Sequence, residues 1–247
     1  MENSSTAHRG RWAAPAALVA LAAGLVYLNS LGAPFHYDDY ETVLTNKNIR
    51  IFSDLASILL HSPFRGVLFL SFALSYHLTG ADPLGFHLFN TIVHMMNAVF
   101  VFALVRQLVR RSGNDPDERH APLVAGLLFA VHPAFTEAVT YISSRSSLLA
   151  TTFYLLCVLA FLAAADARTT ARCVLLYAAS FATWVLGLLT KELLATAPLM
   201  LIIIDWLVVT GPGNRRAMAR RLLLPHGLFL LFLAAGLSFR VYIFATR

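Results

Sequence analysis

Charged residues are scarce in this sequence. Its 247 residues include 19 lysines and arginines and 13 aspartates and glutamates, so that 13% are charged and 58% are hydrophobic. Soluble domains carry about 25% charged residues, which excludes water as the main solvent of this chain. Apolar runs of about 18 residues or more recur along the sequence, as is typical of membrane spans. The composition therefore predicts an all-α, polytopic membrane helical bundle.

Residue types and motifs that define other kinds of protein are also missing. The two cysteines, Cys157 and Cys173, give no disulfide framework. There is no Gly-rich phosphate loop or HExxH helix, and no GxSxG turn, so nothing favours a nucleotide-driven or hydrolytic mechanism. The net charge of +6 comes from basic residues in short loops beside the spans, where such residues set orientation. It therefore does not indicate a nucleic-acid partner.

About seven membrane spans are predicted, the first being a retained anchor rather than a cleaved signal peptide. The segment 67–79 is apolar but short for about 30 Å of hydrocarbon. If it is juxtamembrane or re-entrant, the later basic clusters, which include Arg110 and Arg111, fall on the inner side with Arg9 and Arg11. With that option the predicted spans are 13–31, 85–109, 122–139 with a break at Pro133, 148–165, 174–189, 193–209 and 222–243.

The predicted organisation is one membrane domain over residues 1–247, with an extracytoplasmic loop at 32–84. Within this loop the amphipathic stretch 51–60 is expected to lie on the membrane interface, with Ser53 or Asp54 as its cap. The topology brings three polar stretches to the outer face: the acidic loop that contains Asp38 and Asp39, the stretch 132–147, and Lys191-Glu192. Ionisable residues that cluster beside spans are candidates for function.

The acidic loop supplies the first candidates. Asp38, Asp39 and Glu41 stand within four positions directly after the first span, in a chain with only 13 acidic residues. A carboxylate pair at a membrane surface favours a general base or a metal-binding pair over a solvated loop. Adjacent side chains in an extended loop point in different directions. One carboxylate is therefore expected to do the chemistry while the other is structural.

A polar stripe follows on the predicted span 85–109. Its members are spaced by three, four and three residues, which puts them on one helix face that must meet protein or water. The stripe fits a role in shaping a site and plain interhelical hydrogen bonding equally well. It is weak as a metal site, because asparagine is not a usual zinc ligand. The members are His87, Asn90, His94 and Asn97.

The stretch 132–147 is polar and contains Pro133, which is predicted to break the helix at the surface. Glu137 lies in apolar sequence and is predicted to need a partner, either Arg145 or His132. The planar guanidinium of Arg145 is suited to a phosphate group.

Lys191 and Glu192 complete the candidate residues. A lysine at the outer end of a span either extends to the headgroup layer or contacts an anionic headgroup. Carboxylates and cations together at a membrane surface indicate a reaction on a lipid-linked phosphate. In such a reaction the cations hold the leaving phosphate while a carboxylate deprotonates an acceptor hydroxyl.

Six motifs follow one another in a distinctive order and spacing: Tyr37-Asp38-Asp39, Phe64-Arg65-Gly66 to Ser71, Gly85-Phe86-His87 to Asn90 with His94, His132-Pro133 to Val139, Ile142-Ser143-Ser144-Arg145 and Thr190-Lys191-Glu192. Together they resemble the membrane half of the transmembrane and tetratricopeptide-repeat-containing O-mannosyltransferases and their bacterial homologues. These belong to the GT-C superfamily of glycosyltransferases. The resemblance covers roughly residues 12–209.

The resemblance implies an inverting transfer of a sugar, typically mannose, from a polyprenyl phosphate to a hydroxyl on the extracytoplasmic side. It implies that Asp38 or Asp39 is the catalytic base. The implied partners are membrane lipid, the lipid-linked donor and a protein or glycan acceptor. The resemblance indicates no cofactor besides this donor, and the residues do not indicate a metal. The donor phosphate would be contacted by Arg145, Lys191 and Arg65, and the site would be shaped by His87, Asn90, His94, His132, Glu137 and Glu192.

The sequence departs from the family pattern in two motifs. The family usually has Arg-Pro where this chain has Arg65-Gly66, and an acidic residue where Ser147 stands. The further spans and the repeat domain of the family are not in this sequence, so we expect an N-terminal part or a shortened form.

The sequence has three alternative interpretations besides protein mannosylation. The same fold could glycosylate a lipid or a cell-envelope glycan, or a non-catalytic form could be a scaffold that binds lipid phosphate. A transporter is disfavoured, because charges at mid-membrane and repeated halves are lacking. The Ala-, Leu- and Arg-rich texture favours a bacterial inner membrane, with the site facing the periplasm.

Overall fold

The computed structural model describes the backbone of residues 3–113, 120–211, 213–214, 218, 220–222 and 225–245, and the side chains of these residues except 3–11, 60–61 and 243–244. Every regular element within these residues is helical, which confirms the all-α fold class. The helices are α1 (Asn3–Val26), α2 (Leu55–His61), α3 (Gly66–Thr79), α4 (Pro83–Ser112), α5 (Ala121–Val131), α6 (Thr136–Thr140), α7 (Arg145–Ala165), α8 (Thr170–Leu188), α9 (Ala197–Ile204) and α10 (Pro225–Ala245).

Five helical stretches are long and apolar enough to cross a membrane: four contain α4, α7, α8 and α10, and the fifth, Glu192–Thr210, contains α9. The number rises to six if α5 and the bent segment Pro133–Thr140, which meet at 49°, form one span. The predicted number of seven is not confirmed, because the described apolar part of α1, Trp12–Val26, is shorter than a typical span. The side chains of Arg9 and Arg11, and loop residues 114–119 and 215–217, lie outside the described part.

The helix α3 begins and ends at the same end of the bundle. The N–H of Val67 at its start donates to the carbonyl of Leu189 after α8 (3.1 Å), and its end leads into α4 within four residues. The end of α8 and the start of α4 both lie beside the start of α7, which Lys191 and Asn90 contact. This geometry fits the juxtamembrane or re-entrant option for 67–79.

Two ends of the bundle can be named from these contacts. The site end holds the acidic loop, the start of α4, the start of α7 and the end of α8. At the opposite end Arg111 of α4 pairs with Asp166 after α7 (2.7 Å), and Arg221 pairs with Asp205 (2.6 Å).

The loop at 32–84 is ordered by short helical turns. The side chain of Asp54 accepts the N–H of Ser57 (3.0 Å) and caps α2, as predicted for one of two candidate residues. Beneath the loop an apolar core that includes Ile49, Phe72 and Phe86 packs α3 against α4. The core therefore fixes the loop above the starts of α4 and α7.

Candidate active site at one end of the bundle

The site is built around a break between α5 and α7. Pro133 lacks an N–H and cannot continue α5, so the chain passes through a short turn and α6 before α7 begins. His132 is exposed, and its Nδ1 accepts the N–H of Ala134 (3.1 Å), which caps the turn. The break leaves backbone groups without helical partners, and side chains from other elements bind them.

The polar stripe of α4 binds backbone carbonyl groups of other elements, and two of these carbonyls, those of Ala130 and Val139, lie at the break. All four of its side chains are buried. Carbonyls at the ends of α5 and α6 have no helical partner, because the next turn is not helical. The stripe therefore makes interhelical hydrogen bonds, one of the two predicted roles, and forms the base of the site. The pairs are His87 with Ala33 (3.0 Å), Asn90 with Val139 (3.3 Å), His94 with Ala130 (3.0 Å) and Asn97 with Leu148 (3.0 Å).

The second carboxylate of the acidic loop is enclosed. Asp39 is 1% exposed. Its Oδ1 accepts both the N–H (2.8 Å) and the hydroxyl (2.6 Å) of Ser143, and its Oδ2 accepts the N–H of His36 (3.0 Å). These bonds join the acidic loop to the start of α7, so the Asp39 side chain has a structural part.

The first carboxylate is exposed, although its main chain is held. The N–H of Asp38 donates to the hydroxyl of Tyr141 (3.2 Å), and its carbonyl accepts from Thr42 Oγ1 (2.6 Å). Burial raises the pKa of Tyr141, and the charges of Asp38 and Asp39 add to this, so the phenol stays neutral as an acceptor. The Asp38 carboxylate makes no hydrogen bond or ion pair within the described part of the chain. It is therefore free to meet a substrate.

Arg145 does not lie where a phosphate could reach it. Its side chain is 0% exposed, between the rings of Phe72 (4.6 Å) and Phe89 (4.2 Å). All three guanidinium nitrogens donate to protein oxygens: Nε to Asn90 Oδ1 (2.8 Å), Nη1 to the Ser71 carbonyl (2.9 Å) and Ser75 Oγ (3.1 Å), and Nη2 to the Phe86 carbonyl (3.1 Å).

These bonds change the interpretation of Arg145. A buried guanidinium whose three nitrogens all donate to protein oxygens joins α3, α4 and α7 and is closed off from a lipid headgroup. The phosphate contact expected of Arg145 from the sequence is therefore corrected to a structural role.

The predicted partners of Glu137 are also corrected. Glu137 is exposed, and its carboxylate makes no ion pair or hydrogen bond among the residues that the structure describes. Arg145 is enclosed elsewhere, and His132 uses Nδ1 for its own turn. The physical reason is the break at Pro133, which places α6 at the surface of the bundle instead of inside a span.

Cations gather on the other side of the site end. Lys191 Nζ donates to Ser147 Oγ (2.8 Å). Glu192 lies between two arginines, with Arg65 at 3.8 Å and Arg240 at 3.3 Å. Arg240 was missed by the sequence analysis, although a lone arginine in the apolar α10 was a usable sign. We call Lys191, Arg65, Arg240 and Glu192 the cation cluster.

A cavity of about 290 Å³ lies at the break between α5 and α7, against the polar stripe of α4. Ser144 on its wall follows Ser143, which binds Asp39, and Ser147 on its wall binds Lys191. The Nδ1 atom of His94 has no hydrogen-bond partner among the described residues. The cavity is lined by His94, Asn97, Phe129, Ala134, Phe135, Glu137, Ala138, Ser144, Ser147, Leu148 and Thr151.

The donor set of the site consists of carboxylates, hydroxyls, an imidazole and cations, which suits hydroxyl and phosphate groups. Within the described residues, no three His, Cys, Asp or Glu side chains lie close enough to hold a metal ion. Tyr141 and Ser143, which hold the acidic loop, were not singled out as site residues from the sequence. Only their distance in space from Asp38 and Asp39, which a local pattern does not give, identifies them.

Comparisons with known proteins find relatives among enzymes that modify proteins with mannose. The chain is 36% identical to protein O-mannosyl-transferase Tmtc1 of Drosophila melanogaster over 150 residues, which is 56% of this chain and 17% of that protein. It is 35% identical to Tmtc2 of the same organism over 197 residues, 73% of this chain and 20% of that protein. With TMTC1 of Mus musculus the identity is 32% over 176 residues, 65% and 18%.

The chain spans about a fifth of the length of these relatives, or less. No family model matches the chain, and no solved structure matches it. The matches confirm the resemblance drawn from the motifs: over half to three quarters of its length the chain is similar to protein O-mannosyl-transferases, consistent with a GT-C membrane domain.

Proposed function

We propose that the chain transfers mannose from a polyprenyl-phosphate donor to a hydroxyl of a protein at the extracytoplasmic face of a membrane. The observation that carries the proposal is the free, exposed carboxylate of Asp38 at the same end of the bundle as Lys191, which binds Ser147 on the wall of a polar cavity. The names of the relatives, protein O-mannosyl-transferase, support mannose as the sugar and protein as the acceptor.

In the proposed reaction Asp38 acts as the general base. Its carboxylate takes the proton of a serine or threonine hydroxyl as the hydroxyl oxygen attacks the anomeric carbon of the donor sugar. The bond between that carbon and the phosphate oxygen breaks, and its electron pair leaves with the polyprenyl phosphate. Attack opposite the leaving group inverts the anomeric carbon. Asp39 takes no part in proton transfer; it holds the loop in place through Ser143.

The leaving phosphate is assigned to the cation cluster. Lys191 uses one of its three N–H groups on Ser147 and keeps two for a ligand. Arg65 is exposed beside it, and its distance of 3.8 Å from Glu192 is long enough for the guanidinium to turn toward a phosphate. Arg145 is excluded from this role by its burial.

The sugar is assigned to the cavity at the break between α5 and α7. A volume of about 290 Å³ lies at the small end of the range for ligand pockets, which suits a small group such as a single sugar. The carboxylate of Glu137 and the hydroxyl of Ser144 supply acceptors and a donor for sugar hydroxyls. Lining by these groups, rather than by apolar side chains alone, favours a carbohydrate over a lipid in the cavity.

The sidedness of the proposal rests on charge. The described basic residues at the opposite end include Arg110, Arg111, Arg172 and Arg221, and basic loops remain in the cytoplasm. The site end is therefore assigned to the extracytoplasmic side. A bacterial inner membrane, with the site facing the periplasm, is proposed from the Ala-, Leu- and Arg-rich texture of the sequence.

The test is transfer of radiolabelled mannose from polyprenyl-phosphate mannose to a threonine-containing peptide by the purified chain. Asp38→Asn should lower the rate by about a hundredfold or more, because the general base is lost while the shape is kept. The matched control is Glu41→Gln, another exposed carboxylate of the same loop, which should leave the rate unchanged.

Two results would contradict the proposal. Equal activity of the Asp38→Asn and wild-type proteins would show that Asp38 is not the general base. A wild-type protein that neither transfers mannose nor binds the donor would remove the reaction altogether. Donor binding without transfer, weakened by Lys191→Ala, would instead favour a non-catalytic protein that holds a lipid phosphate.

A further inference from the structure

Tyr37 directly precedes the proposed base and has an unusual backbone. Its φ of +45° makes it the one residue other than glycine with a positive φ in the described part of the chain. This left-handed conformation is disfavoured for a residue with a large side chain, because Cβ approaches the backbone oxygen. Such conformations persist where neighbouring bonds determine them, and they concentrate at functional sites.

The bonds that hold this conformation come from the enclosed carboxylate. Asp39 Oδ2 accepts the N–H of His36 (3.0 Å), and the N–H of Asp39 donates to the carbonyl of His36 (2.9 Å). Tyr37 and Asp38 lie between these two bonded residues and are turned outward. The turn therefore presents a tyrosine ring and a free carboxylate side by side.

The ring of Tyr37 is exposed and has a second tyrosine ring beside it. It is 86% exposed, although it is large and partly apolar. It lies edge-on to the ring of Tyr141, with centroids 6.4 Å apart and an interplanar angle of 88°. The hydroxyl of Tyr141 in turn accepts the N–H of Asp38. One tyrosine thus positions both the proposed base and the ring next to it.

The geometry points to Tyr37 as a platform on which the polypeptide acceptor lies. This inference rests on the proposed function, since it names the acceptor side of the same site. A serine or threonine hydroxyl is only two bonds from Cα, so the acceptor backbone must pass close to the Asp38 carboxylate. The Cα atoms of Tyr37 and Asp38 are about 3.8 Å apart. A backbone that reaches Asp38 therefore passes within reach of the Tyr37 ring.

The chemistry of the ring fits a polypeptide. Exposed, rigid tyrosines provide contact area at little loss of side-chain entropy, and they carry much of the binding energy in protein recognition. The cavity that we assign to the sugar is lined by Ser144 and Ser147, and neither Tyr37 nor Asp38 is among its lining residues. The acceptor is thus left with the outer surface of the turn.

The test uses the full chain in lipid nanodiscs and a fluorescein-labelled peptide of alternating alanine and threonine. Peptide binding is measured by fluorescence anisotropy without donor, and transfer is measured with polyprenyl-phosphate mannose. Tyr37→Asn removes the ring, and asparagine tolerates a positive φ. Tyr37→Phe keeps the ring and is the matched control. A melting temperature of the asparagine variant close to that of the wild type shows that the fold is retained.

We expect Tyr37→Asn to weaken peptide binding by about tenfold. It should raise the acceptor KM by a similar factor and leave kcat and the donor KM unchanged. Tyr37→Phe should behave as the wild type in both assays. A ring that served only as a membrane-interface anchor would leave peptide binding and acceptor KM unaltered.

Three outcomes would overturn the platform: no peptide binding by the wild type, equal binding by the asparagine variant, or a fall in kcat at constant acceptor KM. The last outcome would mean that Tyr37 acts only by positioning Asp38. The binding assay needs no turnover, so the two proposals fail separately. If peptide binding depends on Tyr37 but no mannose is transferred, the proposed function is contradicted and the role of Tyr37 as a platform is supported. If mannose is transferred equally well by the Tyr37→Asn variant, the proposed function is supported and the platform is contradicted.

Discussion

Carboxylates at the two ends of the bundle have very different surroundings. Toward the opposite end, Asp205 is 0% exposed, and both of its oxygens are bonded. They accept from Thr210 (2.8 Å), from Arg221 at 2.9 and 2.6 Å, and from His226 (2.8 Å). At the site end Asp39 is enclosed in the same way, but its neighbour Asp38 has an exposed carboxylate with no bonding partner in the described residues.

The polar network around Asp205 and the cation cluster are well separated along the axis of α10. His226 and Arg240 lie on the same helix, where a rise of about 1.5 Å per residue puts them about 21 Å apart. His226 binds Asp205, whereas Arg240 binds Glu192 in the cation cluster. The polar network around Asp205 therefore does not belong to the candidate site. It joins the end of α9 to the start of α10.

The comparison separates structural from functional charges by the completeness of their bonds. Asp205, Asp39 and Arg145 are buried, and the protein itself binds their polar atoms. Asp38, Glu137 and Lys191 keep unused donors or acceptors at the site end, and Glu137 lines the cavity. Replacement of the first set should lower stability, whereas replacement of Asp38 should lower activity alone. The following four substitutions measure this distinction by the free energy of unfolding in detergent.

The largest loss of stability is expected for Arg145→Ala. The change removes donors from Asn90, Ser75 and two backbone carbonyls, and it leaves a hole between aromatic rings. Buried polar groups without partners and a cavity together should lower the free energy of unfolding by about 5 kcal/mol. Thermal unfolding of the purified variants measures this. Arg145→Lys, which keeps a charge but loses the fork, should fall between alanine and wild type. An alanine variant as stable as the wild type would show that the arginine is not structural.

Asp205→Ala comes next, because it leaves Arg221 and His226 without their anion. Removal of one partner from a buried pair lowers stability by about 3 kcal/mol. Arg221 is partly exposed and can regain water, which is why the loss should be smaller than for Arg145. Asp205→Asn keeps one acceptor oxygen and serves as the control. Mannose transfer, measured below the melting temperature, should be retained in both variants. Selective loss of transfer in a stable Asp205→Asn protein would place this network in the reaction.

Asp39→Asn is expected to lower the free energy of unfolding by about 1 to 2 kcal/mol. An amide has one acceptor oxygen, so the N–H groups of His36 and Ser143 cannot both keep a carboxylate partner. A double-mutant cycle with Ser143→Ala isolates the bond between the Ser143 hydroxyl and the Asp39 carboxylate. A coupling energy near zero would contradict the structural role of Asp39. The turn of Tyr37 and Asp38 depends on the same bonds, so peptide binding should weaken together with stability.

Much of the fold could be predicted from the sequence, because hydropathy and proline breaks act locally. The break at Pro133 and the apolar helices follow from residues within a few turns. Alternation of spans was enough to bring the acidic loop and Lys191 to one end. The number of spans could not be fixed, because the described apolar part of α1 is short and α5 and α6 are bent.

The state of each charge could not be predicted, because it depends on residues distant in sequence. Arg145 and Lys191 looked alike as cations at the outer face, yet only Arg145 meets Ser71, Phe86 and Asn90 from other helices. Likewise, the sequence indicated that one of two adjacent aspartates would be structural but not which one. Asp205 was not singled out, although an aspartate in an apolar run is a sign of a buried partner.

The smallest change in stability is expected for Asp38→Asn. The carboxylate has no partner to lose, and the N–H and carbonyl that hold the loop stay in place. The free energy of unfolding should therefore change by less than about 0.5 kcal/mol, as for other exposed positions, while mannose transfer falls as described above. Asp39→Asn, measured in parallel, should lose more stability and less mannose transfer than Asp38→Asn. If Asp38→Asn instead destabilised the protein as much as Asp39→Asn, the free carboxylate would have a structural partner, and completeness of bonding would no longer separate the two aspartates.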